Sequence, residues 1–383
     1  MKVLITGAHF TTAVAVIEEL KNLSALPYRQ AGGRQDKENI EIVYVGRKTT
    51  MEGDSSPSAE SQILPKMGVK FIPIVAGRLQ RSFTLYTVPA LLKIPVGFLQ
   101  SIYIILREKP DVVVSFGGYV GVPVVFVSWL WSIPILIHEQ TLVSGLANKI
   151  SGLFADKVAV SFNMEHSFNK EKVILTGNPI RKEILRHDKN DLDEDFKIFF
   201  HAAKKERLPV ILVTGGNQGS HIINKTIEKI LPQITKRAYL IHQTGDSKFQ
   251  DFEQLVTLQS SRYLVKKFIN QMGVVLSTVD LVIARAGINT LTEACVLGKP
   301  VLTIPIPFLY QDEQNKNARF FNELGLVQIL SQSKLNGESL LKKIQEMIKN
   351  LEKFKSKAKL SKKIIIQDAA KRLALEVLLL HTR

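Results

Sequence analysis

Apolar and polar positions alternate in blocks along the 383 residues. Short unbroken runs of Val, Ile and Leu, bounded by glycine or polar residues, give way to longer stretches with apolar residues every three to four positions. The short runs suit strands buried on both faces and the longer stretches suit amphipathic helices, together the pattern of a parallel α/β sheet. Strands are predicted at 3–6, 40–46, 69–75, 111–116, 133–139, 157–162 and 173–177, then at 209–216, 238–245, 263–268, 280–287 and 300–307. The segment between Leu23 and Asn39 and the stretch 47–62 read as solvated loops, and 364–380 as a last helix, apolar on one side.

The chain is longer than one ordinary domain of ~100–200 residues. Its composition turns polar and charged over NPIRKEILRHDKNDLDEDFK, near 178–197. This predicts an N-terminal domain over 1–178, a polar junction over 179–196, a C-terminal domain over 197–363, and a terminal helix over 364–383 that packs back toward the N-terminal domain. KVLITGAHFTTAVAVIEEL near the start and PVILVTGGNQGSHIINKTIEKIL at 209–231 share one plan: apolar strand, small-residue turn, amphipathic helix. Each reads as the first βα unit of a Rossmann-like sheet, whose turn and helix N-terminus suit anions. The expected fold class is therefore α/β, with two Rossmann-like domains whose parallel sheets face across a cleft.

Composition adds three constraints. Hydrophobic residues make up 45% and charged residues 22%, a globular balance. The single cysteine, Cys295, excludes an internal disulfide and fits a reducing compartment, and the opening MKVLITGAHF reads as a buried strand and argues against secretion. The net charge of +16 points either to a polyanionic partner or to a lysine-rich solvated surface over 331–383. A basic patch interleaved with aromatics is missing, so nucleic acid is not an expected partner.

Two apolar stretches resemble membrane spans. Residues 112–137 carry no charge, but Gly117-Gly118, Gly121-Val122-Pro123 and Ile133-Pro134 divide them into strand, loop, short helix and strand. Residues 83–106 are interrupted by Pro89, Pro95 and Gly97 and lie among Arg78, Arg81, Lys93, Arg107 and Lys109. They suit an interrupted helix lying on an anionic bilayer, or equally a helical hairpin packed within its own domain.

Several groups carry candidate chemistry. The glycines of Gly215-Gly216-Asn217-Gln218-Gly219-Ser220 would let a diphosphate approach backbone N–H groups, though a plain tight turn fits too. Glu293 is placed to hold both hydroxyls of a ribose, or to close a capping box with Thr290. His9, at the end of the first strand, suits a general base or a helix-terminus histidine. The amides and carboxyls of 311–317 suit sugar hydroxyls or a solvated loop. Asp191, Asp193 and Asp195 resemble a metal motif but sit in the polar junction and read as a surface acidic run. No GxSxG, HExxH, Walker A or zinc-spaced Cys/His set is present.

In order along the chain stand SFGGYVGVPVVF, IPILIHEQTLVSGLANKI, TGNPIRKEI, VTGGNQGSHIIN, IHQTG, ARAGINTLTEACVLGKPVLTIPIP and QDEQNKNAR. This series, over about 1–330, resembles the MurG family of peptidoglycan N-acetylglucosaminyltransferases. The resemblance implies a GT-B fold, with UDP-N-acetylglucosamine held mainly by the C-terminal domain. It implies inverting transfer to the 4-hydroxyl of undecaprenyl-pyrophosphoryl-N-acetylmuramyl-pentapeptide at the cytoplasmic face of a bacterial membrane. The enzyme would be peripheral there, on an anionic surface and among other cell-wall synthesis proteins, with neither a cofactor nor an essential protein-bound metal.

Carried over by position, Asn217 and Gln218 would flank the donor diphosphate, and the backbone at Ile269, near Arg181, would read uracil. Glu293 would hold the ribose, and Gln314 and Asn317 the sugar hydroxyls. Tyr119, His138, Glu139 and Asn148 would line the acceptor side, with His9 as the base. Departures fall at Ala8 (for glycine), Thr12 (for proline), Thr141 (for asparagine), Asn217 (for serine) and Glu313. They gather on the acceptor side, leaving open a different lipid acceptor or a catalytically impaired membrane scaffold.

Overall fold

The computed structural model describes residues 1–25, 28–29, 35–36, 39–49, 57–77, 87–164, 166–186, 188–216, 218–246 and 249–382, the side chains of 25, 28–29, 35–36, 87–91 and 189 excepted. The chain forms two compact units, Met1–Arg181 with Asp368–Arg383, and Lys182–Gln367.

The first unit runs β1 (Lys2–Gly7), α1 (Phe10–Ala25), a short pair β2 (Tyr28–Arg29) and β3 (Gln35–Asp36), β4 (Glu41–Gly46), α2 (Ala59–Lys66), β5 (Lys70–Pro73), α3 (Thr87–Glu108), β6 (Val112–Phe116), α4 (Gly121–Leu130), β7 (Ile135–Glu139), α5 (Leu146–Phe154), β8 (Lys157–Val160) and β9 (Val173–Leu175). The second runs α6 (Lys182–Leu185), α7 (Glu194–Glu206), β10 (Val210–Thr214), α8 (His221–Ile234), β11 (Tyr239–Gln243), α9 (Asp251–Leu255), β12 (Tyr263–Lys266), α10 (Met272–Thr278), β13 (Leu281–Ala284), α11 (Ile288–Val296), β14 (Val301–Thr303), α12 (Glu313–Glu323), β15 (Val327–Ile329), α13 (Gly337–Lys349) and α14 (Leu351–Ser361). The chain then returns to the first unit with α15 (Ala369–His381).

The first sheet has the order β5-β4-β1-β6-β7-β8-β9 and the second β12-β11-β10-β13-β14-β15. All pairs within them are parallel, with Val3 beside Ile42 and Val112, and Ile211 beside Leu240 and Leu281. Counted within its own unit, each sheet has the doubly wound order, reversing direction between β1 and β6 and between β10 and β13. Ligands of such sheets bind at the carboxyl ends of the strands flanking that reversal. Both sheets bury two faces, which is why their strands are continuously apolar. In the first unit α1 and α15 cover one face, with Ala13, Ile17, Leu373 and Val377 over Val3 and Ile5. Val120, Val124 and Ile104 cover the other. In the second, Ile223, Ile227, Leu340 and Ile344 close on Ile211, Val213 and Leu281.

Four local readings change. Residues 59–62, expected in a loop, open α2, because the Ser58 hydroxyl caps the helix by accepting the Ser61 N–H at 3.2 Å. The expected breaks in 83–106 give one continuous helix, α3, with Pro95 inside it; Pro89 sits in its first turn, where a missing N–H costs nothing. Residues 78–86 of that stretch lie outside the described residues. Strand β15 was unforeseen, being three residues long with Gln328 at its centre. The stretch read as a polar junction contributes from Lys182 onward to the second unit. There α6 lies against α10 so closely that a Cβ on Gly273 would stand 2.0 Å from the Glu183 carbonyl oxygen.

Candidate active site

In the second unit the β10–α8 turn is built by close backbone packing. A Cβ on Gly219 would lie 1.9 Å from the Thr244 carbonyl oxygen, and one on Gly245 2.1 Å from the Gly219 nitrogen. Both residues have positive φ, +72° and +77°, which suits glycine. Gln243 holds the turn from behind: its Nε2 donates to the Gly216 carbonyl at 3.2 Å and to Thr214 Oγ1 at 3.3 Å, while its Oε1 accepts the Ile269 N–H at 3.1 Å. The Ile269 N–H is thus engaged within the protein. No side chain caps the first turn of α8 among the described residues, so its N–H groups are available to an anion. Gln218 is exposed on this turn, and Asn217 lies outside the described residues.

Beside the turn stands Arg285, which sequence reasoning missed. Its guanidinium donates to Ser220 Oγ at 3.1 Å, the Ile304 carbonyl at 2.9 Å and Gln332 Oε1 at 2.8 Å, all neutral groups. Withdrawal from water brings its pKa down to about 10, so the cation persists at neutral pH. The available signal was a cation at the exit of an apolar strand, in DLVIARAG.

Glu293 stands at the sixth position of α11, whose N-cap is Gly287 without a side-chain cap. Its capping-box alternative therefore falls, since Thr290 lies inside the helix. Gln314 accepts the Ile306 N–H through Oε1 at 3.0 Å. Asn317 is fully buried and donates to the Ala286 carbonyl at 3.1 Å. It ties α12 to the β13 exit, with its Oδ1 buried and without a hydrogen-bond partner among the described residues. Just before α12, Gln311 and Asp312 hold φ of +48° and +60°, a strained entry of the kind concentrated at ligand sites.

In the first unit the β1 exit meets the β6 exit. Ala8 N–H donates to the Gly117 carbonyl at 2.9 Å, and Tyr44 Oη to the Gly7 carbonyl at 3.0 Å. A Cβ on Gly118 would collide with the Ala8 Cβ at 2.5 Å, so the methyl at position 8 is accommodated by the glycine opposite. His9 follows, half-buried, with Nδ1 at 2.6 Å from Gln140 Nε2, and Gln140 Oε1 accepts from Thr12 Oγ1 at 2.7 Å. Burial lowers the His9 pKa to about 4 and that of His138 to about 3, so both rings are neutral near pH 7. His138 Nε2 lies 3.2 Å from Ser161 Oγ and 3.3 Å from the Gly177 carbonyl.

Glu139 is 2% exposed, and its carboxylate is fully engaged. It accepts from Thr141 N–H at 3.1 Å, Thr141 Oγ1 at 2.9 Å, Gly145 N–H at 3.1 Å and Asn148 Nδ2 at 3.0 Å. Glu139, Thr141 and Asn148 therefore shape the loop that carries Gln140. Tyr119 lies under the Arg47 guanidinium, 5.9 Å from its ring centroid. Arg181 is the last residue of the first unit before the chain crosses over. Asp193 accepts from Gln271 at 2.8 Å and Asp195 pairs with Lys266, so the two carboxylates turn to separate partners. Among the described residues no three His, Cys, Asp or Glu side chains are grouped to hold a metal.

One face of α3 is an exposed apolar stripe of Leu92, Val96, Leu99, Tyr103 and Leu106, at helical spacing. Trp129, Leu130 and Trp131 at the end of α4 are also about half exposed. Trp129 joins Phe98, Phe126 and Phe154 in a cluster of edge-on and tilted ring contacts with centroids 5.0–5.8 Å apart. Among the described residues no helix is long and apolar enough to cross a membrane.

Comparison with known proteins gives this geometry a context. The family model for the glycosyltransferase family 28 N-terminal domain matches residues 54–160, and that for the C-terminal domain matches 210–373. The chain is 33% identical over 369 residues to the UDP-N-acetylglucosamine–N-acetylmuramyl-(pentapeptide) pyrophosphoryl-undecaprenol N-acetylglucosamine transferase of Desulforamulus reducens, covering 94% of this chain and 92% of that one. It is 32% identical over 382 residues to transferase 1 of that name from Bacillus cereus, covering 97% of each. This chain belongs to the MurG family. Among solved structures, Acinetobacter baumannii MurG superposes with a TM-score of 0.69 at 23% identity, covering 98% of this chain and 99% of that one. The calicheamicin glycosyltransferase CalG4 superposes at 0.67 with 12% identity, covering 100% and 98%. These likenesses identify each unit as one Rossmann-like half of the GT-B glycosyltransferase fold. Within the MurG family frame, Ala8, Thr12 and Thr141 gain concrete surroundings: Gly118, Gln140 and Glu139, respectively.

Proposed function

We propose that this MurG-family chain is a hexosyltransferase that moves N-acetylglucosamine from UDP-N-acetylglucosamine to the 4-hydroxyl of undecaprenyl-pyrophosphoryl-N-acetylmuramyl-pentapeptide, with inversion at the sugar carbon. The observation that carries this reading is relatedness along nearly the whole of both chains to transferases of that name. The open N-terminus of α8 supports it from the chemistry, because a departing diphosphate needs donors and positive charge preorganised where its charge develops.

In this reading the second unit holds the donor. The N–H groups of the 215–220 turn, Asn217 and Gln218 meet the diphosphate, and Arg285 adds a cation beside them. The Ile269 carbonyl reads uracil with Arg181 near it, Glu293 takes the ribose hydroxyls, and the Gln314 amide meets the hexose while Asn317 fixes α12 behind it. The first unit holds the acceptor near Tyr119 and His138, with Glu139 and Asn148 supporting the loop. His9 removes the proton of the 4-hydroxyl, whose oxygen attacks the anomeric carbon from the face opposite UDP. The bond to UDP breaks with its electron pair on the leaving phosphate. The α3 stripe and the two tryptophans rest on the membrane that carries the lipid, at its cytoplasmic face, where the net charge of +16 favours anionic headgroups.

The test is UDP release from UDP-N-acetylglucosamine with and without a short-chain form of the lipid-linked acceptor. Release only with that acceptor is expected. Equal release without it, or a chemically altered sugar with no acceptor present, defeats the reading. Preference for a diacylglycerol in an acceptor panel redirects it to another lipid glycosyltransferase, and binding of UDP-sugar without turnover redirects it to a scaffold.

A further inference from the structure

The chain of contacts from Thr12 through Gln140 to His9 deepens the transferase reading and rests on its assignment of His9 as the base. A primary amide donates only from nitrogen and accepts only at oxygen, a threonine hydroxyl does both, and a neutral imidazole donates at one nitrogen and accepts at the other. The chain therefore has two self-consistent arrangements. As it stands, Thr12 Oγ1 donates to Gln140 Oε1 at 2.7 Å, and Gln140 Nε2 donates to His9 Nδ1 at 2.6 Å. Neutral His9 then keeps its hydrogen on Nε2, where it donates and has no lone pair for a proton. Turning the amide over reverses both bonds: Oε1 accepts from Nδ1–H, the NH₂ donates to Thr12 Oγ1, and the free lone pair moves to Nε2.

We propose that Gln140, steadied by Thr12, is the positioning residue that sets the tautomer of His9, and that the reactive state has the amide oxygen toward Nδ1. Both residues are shielded from water, Thr12 at 0% and Gln140 at 5% exposed, so solvent does not replace either bond. The loop carrying Gln140 is pinned by the four hydrogen bonds to Glu139, which leaves rotation of the amide as the low-cost rearrangement. In the reactive state the 4-hydroxyl proton passes to Nε2 as its oxygen bonds to the sugar carbon and the bond to UDP breaks. The imidazolium keeps Nδ1–H on Oε1 and later gives the Nε2 proton to solvent. Burial is what lowers the His9 pKa, His138 of β7 beside it is itself held neutral by burial, and the first turn of α1 carries no acid. The amide is thus the group that decides which nitrogen is basic.

The experiment compares His9 imidazole ¹⁵N shifts, which separate the tautomers without substrate, in wild type, Gln140→Met, Thr12→Val and Thr12→Ser. One dominant tautomer is expected in wild type and Thr12→Ser, and a mixture in the other two. In turnover, Gln140→Met is expected to lower kcat about tenfold with the donor KM within about twofold, a modest share of what acid–base catalysis supplies. Thr12→Val should fall less, and Thr12→Ser should recover. Gln140→Glu, which only accepts, should lock Nδ1–H and move the acid limb of kcat to higher pH. An identical tautomer ratio in wild type, Gln140→Met and Thr12→Val, or wild-type kcat in Gln140→Met, overturns the assignment. Absence of transfer by the wild-type enzyme would defeat the transferase reading separately, while the ¹⁵N comparison still decides the role of Gln140.

Discussion

Gly219 and Gly245 meet backbone to backbone, so that a Cβ on Gly245 would sit 2.1 Å from the Gly219 nitrogen and 2.3 Å from its Cα. The turn at 215–220 is therefore braced by the exit of the neighbouring strand. Gly245→Ala should displace the turn, weaken UDP binding at least about tenfold and cost about 2 kcal/mol, from strain at positive φ plus the clash. Gly216→Ala is the control: its φ is +79° but nothing lies within 4 Å of the added atom. It should cost about 1 kcal/mol and leave UDP affinity near wild type. Calorimetric titration with UDP and thermal unfolding of both variants check the contrast.

Arg285 faces only neutral partners, and its charge is expected to be matched by the donor diphosphate. Arg285→Met should raise the Kd for UDP about tenfold, the order of one charge-assisted contact, while the Kd for uridine stays unchanged. Equal weakening for both ligands would show that the arginine only shapes the turn.

The chain has two tryptophans, and both Trp129 and Trp131 lie on the exposed apolar face of the first unit. Intrinsic fluorescence should shift to shorter wavelength when anionic vesicles are added, and less with neutral vesicles or high salt. Leu92→Glu with Leu99→Glu should abolish the shift without lowering Tm, because each leucine is 67% exposed.

His138 and His242 are almost wholly buried, and burial brings the pKa of each to about 3. Both take up protons more readily when unfolded, where the ordinary value is near 6.5. Their contribution to stability is complete above that value and is lost as pH falls from about 6.5 toward 3, by about 1.4 kcal/mol per pH unit for each ring. Denaturant midpoints should fall between pH 7 and pH 5, and His242→Gln should flatten the slope for the second unit.

The sheets were legible because strands covered on both faces carry unbroken apolar runs, as LVIA of β13 and the VILV of β10 do. Strand β15 was not, since Val327–Ile329 is too short to show a pattern. Helix α2 was masked by Pro65 and its polar neighbours. Around the site, the turn at 215–220 could be read from its glycines, whereas Arg285 and Gln140 could not, because their importance comes from what folding brings against them. Thr290 and Glu293 show the converse: correct spacing for a cap, in a helix that begins three residues too early for one. Asn317 has the right residue type on the right helix, yet faces the Ala286 carbonyl. Periodicity places a side chain on a helix without saying what the opposing surface will be.

Helix α15 gives the first unit a discontinuous chain, with its core waiting for residues 369–381. During synthesis the ribosome delivers every residue of the second unit before those that seal α1. The half begun first is thus sealed only after the second unit is made, and until residues 369–381 emerge it displays the apolar side of α1 to the cell. A fragment ending at residue 181 would stay permanently in that unsealed condition, so a chaperone-binding and aggregating half-protein is the expected product of early truncation.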